Sequence, residues 1–319
     1  MADALPTTLI EAVTHFSDET VCREFLVAQR WPNGVRCVAC DSDRVGFINA
    51  KRSPLWYCKA CGERFSIKRG TIFEDSPISL TKWLPAIWLY TAGKKGRSSH
   101  QLARDLGVTQ KTAWFMSHRI RHALNIPGDD EPMSGEVEVD ETFVGGKEKN
   151  KHAALRLHRG RGPVGKAAVV GLLNRHGPDG HSTVRAKTVT SRKKGTLQAE
   201  VRAHVAADST IYTDALRSYD GLDAAYIHEV IDHSESYVKG RVHTNGIENF
   251  WSLFKRCIYG THHQVDPEHL DRYIDETAYR FNSRGQTDTA RFLDATRRTD
   301  GKRLTYKALT GSQAFGYAW

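Results

Sequence analysis

The sequence lacks a long apolar run, and this absence limits the classes of protein that it can encode. The longest candidate, residues 167–173, has the length of a strand and falls well short of the ~20 residues that span a bilayer. The chain also begins without a basic segment ahead of an apolar core, so we expect no secretory signal. With 39% hydrophobic and 26% charged residues, the composition is typical of a globular protein of the cytosol without a membrane partner.

Acidic residues are too few to balance the basic ones. The 319 residues include 46 Lys and Arg against 37 Asp and Glu, which gives a formal net charge of +9. A surplus of this sign favours a polyanionic partner, most often nucleic acid. Residues 147–166 alone hold seven Lys or Arg and one Glu, although a run of this kind is also typical of a plain solvated surface.

Cysteines are also few, and four of the six form two pairs with a diagnostic spacing. Cys37 and Cys40 are followed, after seventeen residues, by Cys58 and Cys61. In a reducing compartment, two such pairs at this distance predict four thiolate ligands for one structural zinc ion per chain. No open ligand position is indicated, so we expect no catalytic zinc.

The remaining patterns divide the chain into four parts. Residues 1–30 are predicted to be helical, with a restart at Ser17-Asp18, and residues 31–72 form the zinc ribbon. Residues 78–126 are predicted to be helical, and a Pro- and Gly-containing linker follows. Residues 133–319 alternate strands with helices, which predicts a mixed α/β domain. Its strands are expected within 135–146 and at 166–173, 183–189 and 209–214, and its helices at 196–205, 243–259 and 270–281.

Within the third part, residues 78–126, the sequence from Ser98 to Arg121 predicts a helix-turn-helix. Gly107 makes the turn and Thr109 caps the second helix. In the DNA-binding form of this motif the start of the second helix faces base edges, and basic residues further along reach phosphates. The predicted DNA contacts are Gln110, Lys111, Thr112, Arg119 and Arg121. The alternative is a plain helical hairpin with no DNA contact.

Three acids in the last part are candidates for one site. Asp140 stands in the middle of a strand of β-formers, where a carboxylate is disfavoured unless it has a function or faces solvent. Asp214 ends another strand, and Glu248 lies on an amphipathic helix. Carboxylates that converge need a cation, and Mg²⁺ prefers their oxygens. Lys255, two turns beyond Glu248 on the same side of the helix, would point at whatever the carboxylate binds.

The chain resembles the insertion-sequence transposases of the DDE type that carry an N-terminal zinc ribbon, the ISXO2-like group. The resemblance covers nearly the whole chain and rests on several motifs: Trp31-Pro-x-Gly-x-x-Cys37, Val139-Asp-Glu-Thr-Phe-Val-Gly-Gly146, Thr213-Asp214 followed by Tyr219, His243-Thr-Asn-x-Ile-Glu248-x-x-Trp-Ser-x-x-Lys255-Arg, Tyr259-Gly-Thr-His262-His-Gln-Val265 and Tyr279-Arg-Phe-Asn-x-Arg284.

The resemblance implies an RNase H-like catalytic domain, in which Asp140, Asp214 and Glu248 bind two Mg²⁺ ions, replaceable by Mn²⁺. It also implies DNA contacts from Lys255 and Arg256. Some relatives are described with Asn as the third catalytic residue, which here would be Asn245; a carboxylate binds Mg²⁺ more strongly than an amide, so we favour Glu248.

The implied function is the binding of terminal inverted repeats in double-stranded DNA, followed by metal-dependent strand cleavage and strand transfer. The expected active form is a homodimer or higher oligomer in the bacterial cytosol or nucleoid. Two alternatives remain at this point. One is a non-catalytic, domesticated DNA-binding regulator, and the other is a structure-selective nuclease on the same fold.

Overall fold

The computed structural model divides the chain into two compact units. One comprises Met1–Leu124 together with Gln286–Trp319, and the other comprises Asn125–Gly285. The residues that the structure describes are 5–48, 54–125, 131–146, 152, 154, 156, 164–177, 180–214, 216–222, 225–231 and 241–311. Most of the basic run 147–166 lies outside these residues.

The first unit begins with two helices, α1 (Leu9–His15) and α2 (Glu19–Arg30). A single helix over residues 1–30 was predicted, with a restart at Ser17-Asp18. The restart is present, because the Asp18 carboxylate accepts the backbone N–H groups of Thr20 and Val21 and so caps α2. The two helices are therefore separate elements.

The ribbon that follows is a small antiparallel sheet of β1 (Val45–Ile48), β2 (Leu55–Cys58) and β3 (Arg64–Phe65), in that order. Its apolar interior is limited to a few aromatic contacts, with Trp56 packed against Trp31 and Phe65. A sheet of this size depends on additional stabilisation, such as a metal ion.

Three helices complete the N-terminal part of this unit: α3 (Leu80–Ala92), α4 (Ser99–Leu106) and α5 (Gln110–Leu124). Gly107 ends α4 in the left-handed conformation, at φ +60°, and the Thr109 hydroxyl accepts the Thr112 N–H at the start of α5. The predicted turn and cap are both present. Ser79 precedes α3 but does not cap it; the Glu19 carboxylate accepts the Leu80 N–H instead, at 2.9 Å.

The second unit is built on a mixed five-stranded sheet in the described residues. Its strands are β4 (Glu136–Val144), β5 (Ala167–Asn174), β6 (Thr183–Val189), β7 (Thr210–Asp214) and β8 (Ile227–Ile231), and their order is β6-β5-β4-β7-β8. The strands β4, β5 and β6 are antiparallel, whereas β7 runs parallel to both β4 and β8.

Helices cover both faces of this sheet. On one face lie α7 (Asn245–Cys257) and α8 (Leu270–Asn282), with Phe250 and Phe254 in the core beneath them. On the other face lies α6 (Lys194–His204), which packs Leu197 and Val201 against Val137 and Val139 of β4. Alternate residues of β4 therefore face opposite layers, which makes the domain a mixed α/β structure as predicted.

The last helices, α9 (Asp288–Arg297) and α10 (Tyr306–Thr310), group with the first unit. The sequence predicts one domain over residues 133–319, whereas the compact unit that holds the sheet ends at Gly285. The reason is apolar packing, since the fully buried Phe292 of α9 lies against Phe16, Phe25 and Trp88. Among the described residues, every helix is too short or too polar to cross a membrane.

Candidate active site and metal centre

The four paired cysteines are brought to one point in the ribbon. Their sulfur atoms all lie within 4.8 Å of one another, with 3.6 Å between Cys37 and Cys61 and 3.7 Å between Cys40 and Cys58. A tetrahedral zinc ion with Zn–S bonds of ~2.3 Å places its sulfurs about 3.8 Å apart. The donor set therefore fits zinc in both chemistry and spacing.

The backbone also prepares this centre for a cation. Both knuckles close with the same turn, in which the N–H of Asp41 donates to the Cys37 carbonyl and that of Gly62 donates to the Cys58 carbonyl. The backbone N–H of Cys61 lowers the pKa of the Cys58 thiol to about 6, which favours its thiolate, whereas the hydrogen bond to Cys40 raises the pKa of the Cys61 thiol to about 12.

Asp140 and Asp214 lie side by side at one point of the central sheet. Parallel strands β4 and β7 pair Glu138 with Tyr212, and each aspartate lies two residues further along its own strand. Paired residues of neighbouring strands are ~4.8 Å apart and share a face, so both carboxylates project from the α7 face at this point. The structure thus brings together two acids that are 74 positions apart in the chain.

Burial and neighbouring negative charge destabilise the ionised carboxylate of Asp140. Burial, followed by the negative charges of Glu141 and Asp214, raises the pKa of Asp140 to about 7. Asp214 is partly buried, and its Oδ1 accepts the Leu216 N–H at 3.1 Å. Near neutral pH Asp140 therefore binds a proton more readily than an ordinary aspartate does, and a metal cation beside it would offset the same negative charges.

Trp251 on α7 holds the Asp140 side chain. Its indole Nε1 donates to Asp140 Oδ2 at 3.0 Å. The close approach of the ring depends on Gly171, which pairs with Asp140 on β5, because a Cβ at this glycine would lie 2.6 Å from Trp251 Cζ2. The sequence motif contains Trp251 without indicating its contact to Asp140, and Gly171 was not predicted to take part; the glycine within an otherwise apolar strand was the available signal for it.

Glu248 is carried to the same face by α7. It lies three residues before Trp251 and seven before Lys255, so all three lie along one side of the helix. The Thr244 hydroxyl donates to Glu248 Oε1 at 3.0 Å, and the rest of the glutamate is exposed. Asn245 is also exposed, but it lies further round the helix from Trp251.

The three acids do not form as tight a group as the cysteines. Of all the residues that the structure describes, the four cysteines alone bring three or more metal-ligating side chains within 4.8 Å of one another. The structure thus pairs Asp140 with Asp214 and brings Glu248 to their side of the sheet, but it does not gather the three carboxylates within that distance.

Glu141 points away from this group, because neighbouring residues of a strand face opposite sides of the sheet. The Tyr219 hydroxyl donates to its Oε2 at 2.7 Å, and Arg192 lies 3.9 Å from its Oε1. Tyr219 belongs to the core on the α6 face. Glu141 is therefore a neighbouring charge that acts on Asp140 from the opposite side of β4.

The predicted DNA contacts on the second helix of the hairpin fall into two groups. Gln110, Lys111 and Thr112 occupy the first turn of α5, where the first two are exposed and Thr112 is partly buried. Arg119 and Arg121 are 5% and 1% exposed, so the expectation that they reach phosphates is wrong for this structure.

The burial of Arg119 has a clear structural cause. Its guanidinium donates to the carbonyl oxygens of Leu304 and Ile72, at 3.1 and 2.9 Å, and lies over the Phe115 ring. Arg121 lies over Tyr90 in the same unit. Both arginines stabilise the packing of α5 instead of presenting charge to a ligand.

Two more predicted DNA contacts lie at the end of α7. Lys255 is partly buried, whereas Arg256 is exposed and donates to the carbonyl and hydroxyl oxygens of Ser252, both at 3.1 Å. Both cations stand in the last turn of the helix, where positive charge is favoured by the helix dipole.

Comparison with known proteins finds matches to two regions of the chain. Residues 132–282 match the model of the ISXO2-like transposase domain, and residues 17–64 match that of the transposase zinc-ribbon domain. An uncharacterised protein in transposable element ISH50 of Halobacterium salinarum is 31% identical over 270 residues, which are 81% of this chain and 89% of that protein.

The chain belongs to the ISXO2-like transposase family. A second relative of this transposase, an uncharacterised transposase-like protein of Haemophilus influenzae, is 36% identical over 96 residues, 30% of this chain and 77% of that protein. The transposase-domain match spans β4 to α8 and therefore includes all three candidate acids. The zinc-ribbon match includes all four cysteines.

Proposed function

We propose that the transposase binds the terminal inverted repeats of its element and uses Mg²⁺ to cleave DNA strands and to join them to a target. The observation that carries this proposal is the placement of Asp140 and Asp214 on neighbouring parallel strands, where burial and like charge raise the pKa of Asp140 to about 7. In this proposal the mixed sheet, covered by helices on both faces, is an RNase H-like catalytic domain.

Asp140, Asp214 and Glu248 are the residues that would hold the metal. Carboxylate oxygens are the ligands that Mg²⁺ prefers, and like charges at this separation favour a bound cation. When bound, two such ions activate the attacking oxygen and stabilise the leaving oxygen in displacement at phosphorus. We assign the third position to Glu248, because it lies nearer than Asn245 to the side of α7 that contacts Asp140 through Trp251.

Other residues of the chain orient these ligands. The Trp251 indole fixes one oxygen of Asp140, and the Thr244 hydroxyl fixes one oxygen of Glu248. Hydrogen bonds of this kind set the orientation of a ligating carboxylate. Lys255 and Arg256, further along α7, contribute positive charge for the phosphates of the bound strand.

DNA recognition belongs in this proposal to the first unit. The hairpin of α4 and α5 acts as a helix-turn-helix in which Gln110, Lys111 and Thr112 face base edges. The zinc ribbon contributes to the same recognition of double-stranded DNA. We propose that the active form is a homodimer or higher oligomer in the bacterial cytosol or nucleoid.

A comparison of two aspartate variants tests the chemistry. Asp214→Asn keeps the shape of the side chain but removes a charged metal ligand, whereas Asp220→Asn makes the same change at an exposed position nearby. On DNA that carries the element ends, the first should abolish Mg²⁺-dependent nicking and joining, and the second should leave both intact. Full cleavage by Asp214→Asn would refute the assignment.

The same assays separate the alternatives. A DNA-binding regulator would bind the ends without cleavage, and its binding would not depend on Asp140. A structure-selective nuclease would cleave but would not join a 3′-hydroxyl end to target DNA.

A further inference from the structure

The start of α7 lacks a cap from its own sequence. Thr244 stands at the N-cap position, but its hydroxyl donates to Glu248 and does not accept a backbone N–H. A helix that begins in this way leaves N–H groups of its first turn without an acceptor unless another part of the chain supplies one.

Glu138 of β4 supplies that acceptor. Its Oε2 accepts the Ile247 N–H at 2.9 Å, although the two residues are 109 positions apart in the chain. Gly246 makes the approach possible, because a Cβ there would lie 2.9 Å from the same oxygen. The first turn of the helix is thus capped by a carboxylate from the strand that also carries Asp140.

Arg175 neutralises this buried carboxylate and extends the connection. Glu138 is 1% exposed, and its Oε1 accepts the Arg175 Nε at 2.7 Å. The same guanidinium donates to the carbonyl oxygens of Arg241 and His243, each at 2.7 Å, in the segment that leads into α7. His243 Nδ1 lies 3.4 Å from the same Glu138 oxygen.

Two contacts therefore join the same helix to the same strand. Glu138 binds Ile247, and Asp140 binds Trp251. The two strand residues are ~6.6 Å apart at 3.3 Å per residue, and the two helix residues are ~6 Å apart at 1.5 Å per residue. Because these lengths match, both contacts form at once, and they prevent α7 from sliding along β4.

We propose that Glu138 is a positioning residue that fixes the register of α7 on β4 and so sets the place of Glu248 relative to Asp140. Glu248 follows Ile247 directly and lies between the two contacts. Its carboxylate can approach the aspartates reproducibly only while the first turn is held. This inference rests on the proposed metal site but concerns a residue that would not itself contact the metal.

The first test uses Glu138→Gln, with Glu200→Gln as the matched control. Arg175 and the Ile247 N–H are both donors, so an amide, which has one acceptor oxygen, can satisfy only one of them. Glu200, on α6, is a partly buried carboxylate of the same unit, and it pairs with Lys187 of β6 at 3.0 Å. Neither partner of that pair lies on α7.

Three quantities are measured on the full chain: Mn²⁺ binding in the absence of DNA, the Mg²⁺ concentration for half-maximal cleavage, and hydrogen exchange of the Ile247 and Glu248 amides. For Glu138→Gln we expect metal affinity to fall by about 10–100-fold, as for other residues that orient ligands, and exchange of both amides to accelerate. Glu200→Gln should change none of them. Unchanged exchange and metal affinity in Glu138→Gln would overturn the proposal.

A second pair of variants separates positioning from stability. Glu138→Leu removes the carboxylate at 2.7 Å from Arg175 and leaves only the more distant Glu136, at 3.6 Å, to balance that partly buried charge. The double variant Glu138→Leu/Arg175→Leu removes both charges and is expected to recover much of the lost stability. The double variant still lacks an acceptor for Ile247, so its Mn²⁺ affinity should stay low. Recovery of metal affinity together with stability would mean that the role is structural only.

These measurements distinguish failure of the positioning role of Glu138 from failure of the proposed function. If the wild-type chain binds no divalent metal and cleaves no DNA, the metal site is refuted. The exchange rates of the Ile247 and Glu248 amides still decide whether Glu138 holds the start of α7. If exchange does not respond while metal binding is normal, the positioning role alone is refuted.

Discussion

The change Gly171→Ala tests the packing that holds Asp140. On propensity alone, alanine in a strand is favoured over glycine by about 0.5–1 kcal/mol, so the unfolding free energy should rise. The structure predicts instead that the unfolding free energy falls, because the new Cβ would lie 2.6 and 2.7 Å from two ring carbons of Trp251 and 2.9 Å from Ile247 Cδ1. Both side chains are buried and cannot swing into solvent.

The size of the effect follows from these contacts. Overpacking of a core costs about 1–3 kcal/mol, and two fixed neighbours favour the upper part of that range. Displacement of Trp251 would also weaken its hydrogen bond to Asp140. At ~2–4 °C per kcal/mol for a unit of this size, a loss of ~2–3 kcal/mol lowers the melting temperature by roughly 4–12 °C.

Differential scanning calorimetry of the full chain measures this shift, and Gly195→Ala is the matched control. Gly195 lies in the first turn of α6, and a Cβ there meets no heavy atom within 4 Å. The control should be neutral or slightly stabilising. If Gly171→Ala were as stable as the control and cleaved DNA normally, the close packing of Trp251 on β5 could not be what fixes Asp140.

Three further predictions concern charge, metal and DNA. The pKa of Asp140 is raised to about 7 from an ordinary 3.8, so its protonation stabilises the metal-free fold below pH ~4. This contribution, on the order of 4 kcal/mol, is lost as the pH rises through 7. Asp140→Asn should therefore flatten the dependence of the unfolding free energy on pH, measured by denaturant titration. Elemental analysis should find one zinc per chain, absent in Cys37→Ser and retained in Cys22→Ala, because Cys22 lies outside the sulfur cluster. In DNA-binding assays, Lys111→Ala should weaken binding to the element ends more than binding to unrelated DNA, as expected for a residue at base edges, whereas Arg119→Met should lower stability without changing this preference.

Local patterns were sufficient to predict the elements that carry the site. The alternation of Glu and Val gives β4, and the apolar side of α7 is present as expected. Strand β8 was not predicted: its sequence, residues 227–231, mixes His and Glu with apolar residues, and its position comes from pairing with β7. Polar and apolar residues do not alternate regularly in this edge strand, so the sequence pattern does not predict it.

The prediction for Arg119 and Arg121 failed for a different reason. The amphipathic pattern assigns the polar side of α5 to solvent or DNA, but the helix is buried on several sides between Ala113 and Leu124. The carbonyl groups that accept from Arg119 lie 47 and 185 positions away in the chain. A prediction from neighbouring residues in the sequence therefore cannot include these contacts.

Pairing with arginine explains why one acid of β4, and not the other two on the same face, suits a metal. Glu136, Glu138 and Asp140 alternate along the strand and face the same layer. Arg241 pairs with the first and Arg175 with the second. Among the described residues no basic side chain pairs with Asp140, whose carboxylate has the Trp251 indole as a side-chain donor and two acids beside it. Its negative charge therefore remains to be balanced by a proton or a metal cation, and only the placement of the arginines in the folded chain distinguishes it from the other two.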